Sequence, residues 1–270
     1  MWNFRNFTAG FFLILFFFNI IAIFSCPCDH GLLNFFCTCP LLFYSILVFL
    51  FLMVPVVLSF FPCLEFHHKP VICRIKTKEK QVLLTFDDGP DPGITPKILD
   101  LLEQHGIKAI FFVIGKKIVG NEELIRKIAM HGHVVGNHSY SHTKLWDFKT
   151  GRKIREEILL TSDVILKATG IAPTCFRPPY GVINPMVHKG LRNTGLAVVA
   201  WSRRSLDTIS GNERKIIGRI TRNLRPGDIL LFHDTSAVTA GCLESMFLEV
   251  KARGYRFANP GDILNTKNDA

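Results

Sequence analysis

The chain has 270 residues, 32 Lys+Arg against 22 Asp+Glu, a formal net charge of +10 and 24 phenylalanines. That length allows one domain of ordinary size plus an extension. The charge could suit nucleic acid, but no Lys/Arg tract is interleaved with aromatics and no nucleic-acid motif spacing occurs, so nucleic acid is excluded as a partner in favour of anionic lipid headgroups or a phosphorylated carrier.

Apolar and charged residues are unevenly placed. Residues 1–65 hold 15 of the 24 phenylalanines and only Arg5, Asp29 and Glu65 as charged side chains, which leaves residues 66–270 with a net charge of +11. Two uncharged apolar runs, Thr8–Ser25 and Leu41–Phe61, are 18 and 21 residues long. About 20 apolar residues span a bilayer, and neither run has the polar face of a core helix. Residues 1–62 are therefore read as a two-pass membrane hairpin, with helices at about 8–25 and 41–61. A cleaved signal peptide is the alternative for the first run. Cys26, Cys28, Cys37 and Cys39 lie in the intervening loop 26–40. Their C-x-C spacing is not that of a C-x-x-C zinc knuckle, so disulfides or free thiols are favoured over a metal held with Asp29 and His30. Lys69, Arg74, Lys76, Lys78 and Lys80 follow the second run, while loop 26–40 has no Lys or Arg. The positive-inside rule then puts both ends, and the body, in the cytoplasm.

Residues 63–80 read as a polar linker and 266–270 as a tail. Between them, over 81–265, β-type runs at 82–86, 109–114, 133–135, 175–177, 196–201, 229–232 and 255–257 alternate with helical stretches at 95–104, 122–131, 153–169, 185–194, 213–224 and 243–253. Thr95-Pro96 and Asn184-Pro185 each look like an N-cap followed by proline at the first helical position. Seven strands separated by six helices predict a parallel α/β protein, either a barrel or a doubly wound sheet. Cys175 and Cys242 stand alone, so nothing in the body demands an oxidising compartment.

The reactive residues collect at particular places. Asp87 and Asp88 follow the first strand, His138 and His142 follow the third, and Arg177-Pro178-Pro179-Tyr180-Gly181 closes the fourth. Asp207 comes six residues after the fifth and His233-Asp234 follows the sixth. In a parallel α/β barrel those strand ends converge on one face, where active sites lie. An isolated Asp-Asp-Gly-Pro is most simply a solvated turn, and an isolated H-x-x-x-H is most simply structural. Together they allow a facial site of two imidazoles and the Asp88 carboxylate with open coordination positions, leaving Asp87 for another task. A tight Gly89-Pro90 turn would let both carboxylates reach one pocket.

TFDDGP, GHVVGNHSYSH, RPPYG, the Trp201–Asp207 segment and LLFHD, in this order and spacing, resemble the five motifs of the polysaccharide deacetylases, the NodB-homology group or carbohydrate esterase family four. The resemblance covers about residues 80–265. It implies a distorted (β/α)7-type barrel, here preceded by two transmembrane helices, and metal-dependent removal of N-acetyl groups from an amino-sugar-containing glycan or lipid-linked sugar. It also implies one divalent metal on Asp88, His138 and His142, with zinc first and cobalt, nickel or manganese as alternatives. Asp87 would be the general base and Arg177 its partner, the Tyr180 backbone N–H would bind the oxyanion, Asp207 would orient the general acid His233, and Leu231 would line the acetyl pocket. One departure stands out. Asp207 is followed by Thr208 where the family commonly has Trp, so the pocket wall is expected to differ, and Trp201 is read as core. His105, His131, His133 and His188 are read as structural or surface residues.

Overall fold

The computed structural model describes residues 10–11, 13–14, 17, 40–61, 63 and 71–261. Helix α1 spans Pro40–Ser59. The body then runs β1 Val71–Ile72, β2 Gln81–Gly89, α2 Thr95–Gln104, β3 Ala109–Val113, α3 Gly115–Ile118, α4 Glu122–Met130, β4 Val134–Asn137 and α5 Gly151–Thr169. It continues with β5 Cys175–Phe176, α6 Pro185–Leu191, β6 Ala197–Val199, β7 Arg203–Arg204, α7 Glu213–Thr221, β8 Ile229–His233, α8 Ala237–Ala252 and β9 Arg256–Phe257. All seven predicted strands are present, and the two additional ones, β1 and β7, are two residues long.

The strands form a sheet in the order β1-β6-β5-β4-β3-β2-β8-β7, with β9 beside β2. The ladders between these strands are parallel. The distorted (β/α)7-type barrel expected takes the form of a curled, open half-barrel, because β1 and β7 lie at opposite ends of the order. The gap is crossed by chain that the sequence assigned to the linker. Val71–Ile72 pairs with β6, Arg74 bridges antiparallel to Asp228, and Ile75 N–H donates to Gly227 O at 2.8 Å. Asp228, fully buried, also pairs with the Arg74 guanidinium at 3.0 Å.

Strand β2 is buried on both faces, as parallel strands covered by helices must be. Val82, Leu84 and Phe86 pack outward with Ile98, Leu99, Ile216 and Met246 of the surrounding helices. Leu83 points the other way, into a cluster with Ile110, Phe112, Cys175, Val199 and Ile229. Side chains alternate along a strand, so Thr85 and Asp87 follow Leu83 onto the concave side. Helix α5 starts at the Thr150 cap and ends at Gly170, whose φ of 74° suits glycine. Asn184 caps α6 by accepting from Met186 N–H and Val187 N–H. Thr95 does not cap α2. The N-cap is Ile94, and the Thr95 hydroxyl instead donates to Asp234 Oδ2 at 2.7 Å.

The first predicted membrane run and loop 26–40 lie largely or wholly outside the described residues, as does the tail. Phe11 of the first run stacks on Phe51 of α1, with ring centroids 4.1 Å apart. Among the described residues no helix is long and apolar enough to cross a membrane. Side chains of α1 are described only over 45–59, about 22 Å of helix at ~1.5 Å per residue against a hydrocarbon core of ~30 Å. The expectation of two transmembrane helices is therefore not carried by the described chain. Just beyond α1, Cys63 and Cys73 form a disulfide, a pairing that the cysteine spacing did not announce.

Candidate active site

The Asp87-Asp88 doublet is resolved by the backbone of β2. By alternation Asp88 should face the outer layer, opposite Asp87. Instead Asp88 adopts φ 72°, and the pairing with β3 shifts register between Asp87 and Gly89. The left-handed residue swings the second carboxylate back to the concave side, where both meet the histidines. Ser139 (φ 64°), His142 (φ 46°) and Tyr180 (φ 57°) are also left-handed. Non-glycine residues in this region carry strain that the surrounding structure must hold, and four of the seven such residues among those described gather at this site.

Arg177 fixes Asp87. Its guanidinium is fully buried and donates to Asp87 Oδ1 at 2.6 Å and to Thr85 Oγ1 at 2.8 Å. Two further donors reach the Val199 carbonyl at 3.0 Å and the Ala200 carbonyl at 2.8 Å. The charge is thus paired and makes four hydrogen bonds, the condition under which a buried ion pair is tolerated.

Asp88, His138 and His142 bring one ligand atom each to within 4.8 Å of one another. Asp88 Oδ1 lies 3.2 Å from His142 Nε2 and 3.5 Å from His138 Nε2, yet it is buried without an aligned hydrogen bond. His138 Nδ1 contacts the Arg177 carbonyl at 2.7 Å. This contact makes Nδ1 the proton carrier and turns the Nε2 lone pair toward Asp88. Burial and the neighbouring His138 push His142 down to about 4, so its imidazole is neutral near pH 7. Burial alone would raise the Asp88 pKa, but contact with His138 and the surrounding imidazoles hold the carboxyl far below the usual range. An ionised carboxylate with an orphaned oxygen facing two imidazole nitrogens fits a divalent cation.

Across the site, His233 Nδ1 donates to Asp207 Oδ1 at 2.8 Å, and the His233 N–H donates to Asp207 Oδ2 at 2.7 Å. Asp207 also accepts from the Ser205 hydroxyl at 2.7 Å and from the Thr239 hydroxyl. His233 Nε2 then faces Asp88, 4.0 Å from Oδ2. Burial opposes a charged imidazole, but the hydrogen bond and charge of Asp207, with Asp87 and Asp88 close by, raise its pKa above the ordinary histidine value. Leu231, two residues earlier on β8, is buried. Tyr180 overhangs the metal-ligand group, its ring 4.9 Å from that of His142. Thr208 lines a groove of about 390 Å³ beside Asp207, with Ile209 and Thr235. Trp201 packs on the concave cluster and lies so close under Gly181 that a Cβ there would come within 2.3 Å of its ring.

Three supports escaped the sequence reading. Thr85 shares the Arg177 guanidinium with Asp87. Asp234, fully buried and pushed by burial to about 7, receives the Thr95 hydroxyl and fills the space that a side chain at Gly89 would need, 2.1 Å from a Cβ. Glu157 of α5 accepts from Ser141 N–H at 3.1 Å, Ser141 Oγ at 2.9 Å, Trp146 Nε1 at 2.8 Å and the Lys149 ammonium. It therefore anchors the loop that carries His142. Thr85, inside TFDDGP, and Asp234, inside LLFHD, stood in recognised motifs without a role, whereas Glu157 stood in none. Among the histidines set aside, His133 is structural, its Nδ1 accepting from Ala109 N–H at 3.2 Å. Glu157→Gln is expected to weaken metal affinity about tenfold, measured by competition with a chromogenic chelator. Unchanged affinity would show that Glu157 does not hold His142 in place.

A polysaccharide deacetylase family model matches residues 74–199. The chain is 34% identical over 198 residues to a peptidoglycan-N-acetylglucosamine deacetylase of Listeria monocytogenes, covering 73% of this chain but only 41% of that protein. It therefore spans about two fifths of the length of that relative. A peptidoglycan-N-acetylglucosamine deacetylase of Bacillus cereus is 33% identical, with coverage of 73% of this chain and 94% of the relative. Among solved structures, a family 4 carbohydrate esterase pseudoenzyme from Bacillus anthracis superposes with a TM-score of 0.68 at 28% identity, covering 74% of this chain and 71% of that one.

Proposed function

Because the chain belongs to the polysaccharide deacetylase family, we propose that it is a metal-dependent hydrolase that removes N-acetyl groups from the amino sugars of peptidoglycan. The observation that carries this reading is the convergence of Asp87, paired with Arg177, and His233, paired with Asp207, around the Asp88/His138/His142 group. A non-catalytic sugar-binding domain would be expected to lack a base, an acid or a ligand, and all are present here.

In this mechanism zinc, the first candidate metal, would lower the pKa of a water molecule from ~15.7 toward ~7 and polarise the amide carbonyl. Asp87, held by Arg177, takes the proton from the attacking water. The Tyr180 backbone N–H meets the developing oxyanion; one such donor contributes roughly 3–4 kcal/mol. His233 gives its proton to the departing amine, which leaves only when protonated, while Asp207 keeps the imidazole oriented and charged. Leu231 provides an apolar wall for the acetyl methyl. Metal-dependent acetate release from N-acetylated glycan by the purified chain tests the reading, and no release from any N-acetyl amino-sugar polymer or oligomer would remove it.

The acid role carries a pH signature. The rate should fall as pH rises through the His233 pKa, because only the protonated imidazole can donate. Asp207 is the strongest of the influences that raise that pKa, so in Asp207→Asn the alkaline limb of kcat/KM should move to lower pH. An unmoved limb would assign the general acid elsewhere.

We place the chain at a membrane through its apolar N-terminal region and the catalytic domain outside the cytoplasm. The count of positive charges argues for the cytoplasm, but the Cys63–Cys73 disulfide suits an oxidising compartment, and assembled peptidoglycan is accessible only there. Alkaline phosphatase fused after Ala270 should be active. An inactive fusion beside an active cytoplasmic reporter would return the domain to the cytoplasm and the substrate to a lipid-linked or soluble precursor.

A further inference from the structure

We infer that the rim beside the active-site mouth, formed by Leu145, Phe148, Tyr180 and Met186, is a docking surface for an anionic lipid bilayer. These side chains are strongly exposed for their type, Phe148 at 78% and Leu145 at 68%. Hydrogen bonds join them into one surface with the end of α1. Asn184 Nδ2 donates to the Asp147 carbonyl at 2.7 Å, tying the Leu145–Phe148 loop to the start of α6 that carries Met186. Ile183 N–H donates to the Ser59 carbonyl at 2.9 Å, tying the segment after Tyr180 to the last residue of α1. Phe60 and Phe61, both more than half exposed, continue the apolar surface from that point.

The occupant follows from α1. Ile46, Phe49, Leu50, Leu52, Val56 and Val57 are all exposed on a helix without a charged residue. A protein or sugar ligand would cover one side of such a helix, whereas lipid covers all of them. A rim joined to the end of that helix then shares its solvent. Lys144, beside Leu145, and Lys189, one helical turn from Met186, are exposed, and residues 66–270 carry a net charge of +11. Apolar side chains interleaved with basic ones are the composition that binds anionic interfaces. The catalytic mouth would thus lie at headgroup level, open to amino sugars close to the membrane surface. This inference deepens the membrane placement above and uses none of the catalytic assignments.

The test places benzoylphenylalanine at Phe148 or Met186 in the full chain, reconstituted in vesicles of phosphatidylglycerol and phosphatidylethanolamine, and identifies photo-adducts by mass spectrometry. Met130, 77% exposed at the end of α4, is the comparison site, and Phe49 of α1 reports insertion. Lipid adducts at Phe148 and Met186 should exceed those at Met130 about tenfold. Lipid adducts at Phe49 with none at Phe148 or Met186 would overturn the inference. Adducts at Phe148 to added N-acetylchitohexaose in place of lipid would also overturn it, by giving the rim to the substrate. Neither readout depends on turnover, so loss of deacetylase activity and loss of docking are separate results.

Discussion

Asp87→Asn should lower kcat by about 10²–10⁴-fold, the range expected on losing a positioned general base, while the chain still binds its metal. Asparagine keeps the shape of the side chain but cannot take a proton from water. The metal-ligand group is on the neighbouring residue and on the loop after β4, and so remains. The same substitution removes the counter-charge of Arg177, which is fully buried, and breaking a buried pair from one side costs about 3–5 kcal/mol. A lowered melting temperature should therefore accompany the loss of rate. Steady-state kinetics on a variant whose metal content has been checked decides the matter. Near-normal kcat would mean that another group activates the water.

His142→Ala should remove both bound metal and activity. His142 supplies one of only three ligand atoms in the group, and its nitrogen is the nearer of the two to Asp88 Oδ1, at 3.2 Å against 3.5 Å. Two remaining ligands do not define a facial site. The alanine occupies an exterior loop position beside Tyr180, so the half-barrel should survive, as unchanged far-UV circular dichroism would show. Elemental analysis after dialysis is the direct measurement. Full occupancy in the variant would prove the ligand set wrong. Chelation of the unaltered chain should abolish acetate release, and divalent metal should restore it.

Much of the site was legible because each reactive residue sits at or just past the end of a strand, and parallel strands gather their ends on one face. Asp87, His138, Arg177, Asp207 and His233 are brought together from five separate segments in this way. The path of the backbone was less legible. Sequence alternation sends Asp88 to the wrong side of β2, and only its left-handed φ corrects this. The expected agent was the Gly89-Pro90 turn, yet β2 continues through both aspartates to Gly89. Thr95 had the form of a cap because capping and tertiary hydrogen bonding use the same hydroxyl. Glu157 was invisible because Ser141, Trp146 and Lys149 converge on it through a loop with no period. The polar composition of 63–80 hid a strand of two residues, whose pairing depends on a neighbour more than a hundred residues away, Val71 opposite Val198.

The four hydrogen bonds of Arg177 have a further consequence. They reach Thr85 and Asp87 on β2, Val199 on β6 and Ala200 just beyond it, from a residue that follows β5. The guanidinium acts as a keystone that locks three staves together at the point where the base is mounted. A base so clamped cannot follow a displaced substrate, so the substrate must be brought into register with it. Changes in diet over evolutionary time must then be written in the surrounding loops, at places such as Thr208 or Tyr180, while the chemistry stays in one fixed frame. Directed evolution toward a new sugar should accumulate its changes in those loops and leave residues 85, 87 and 177 untouched.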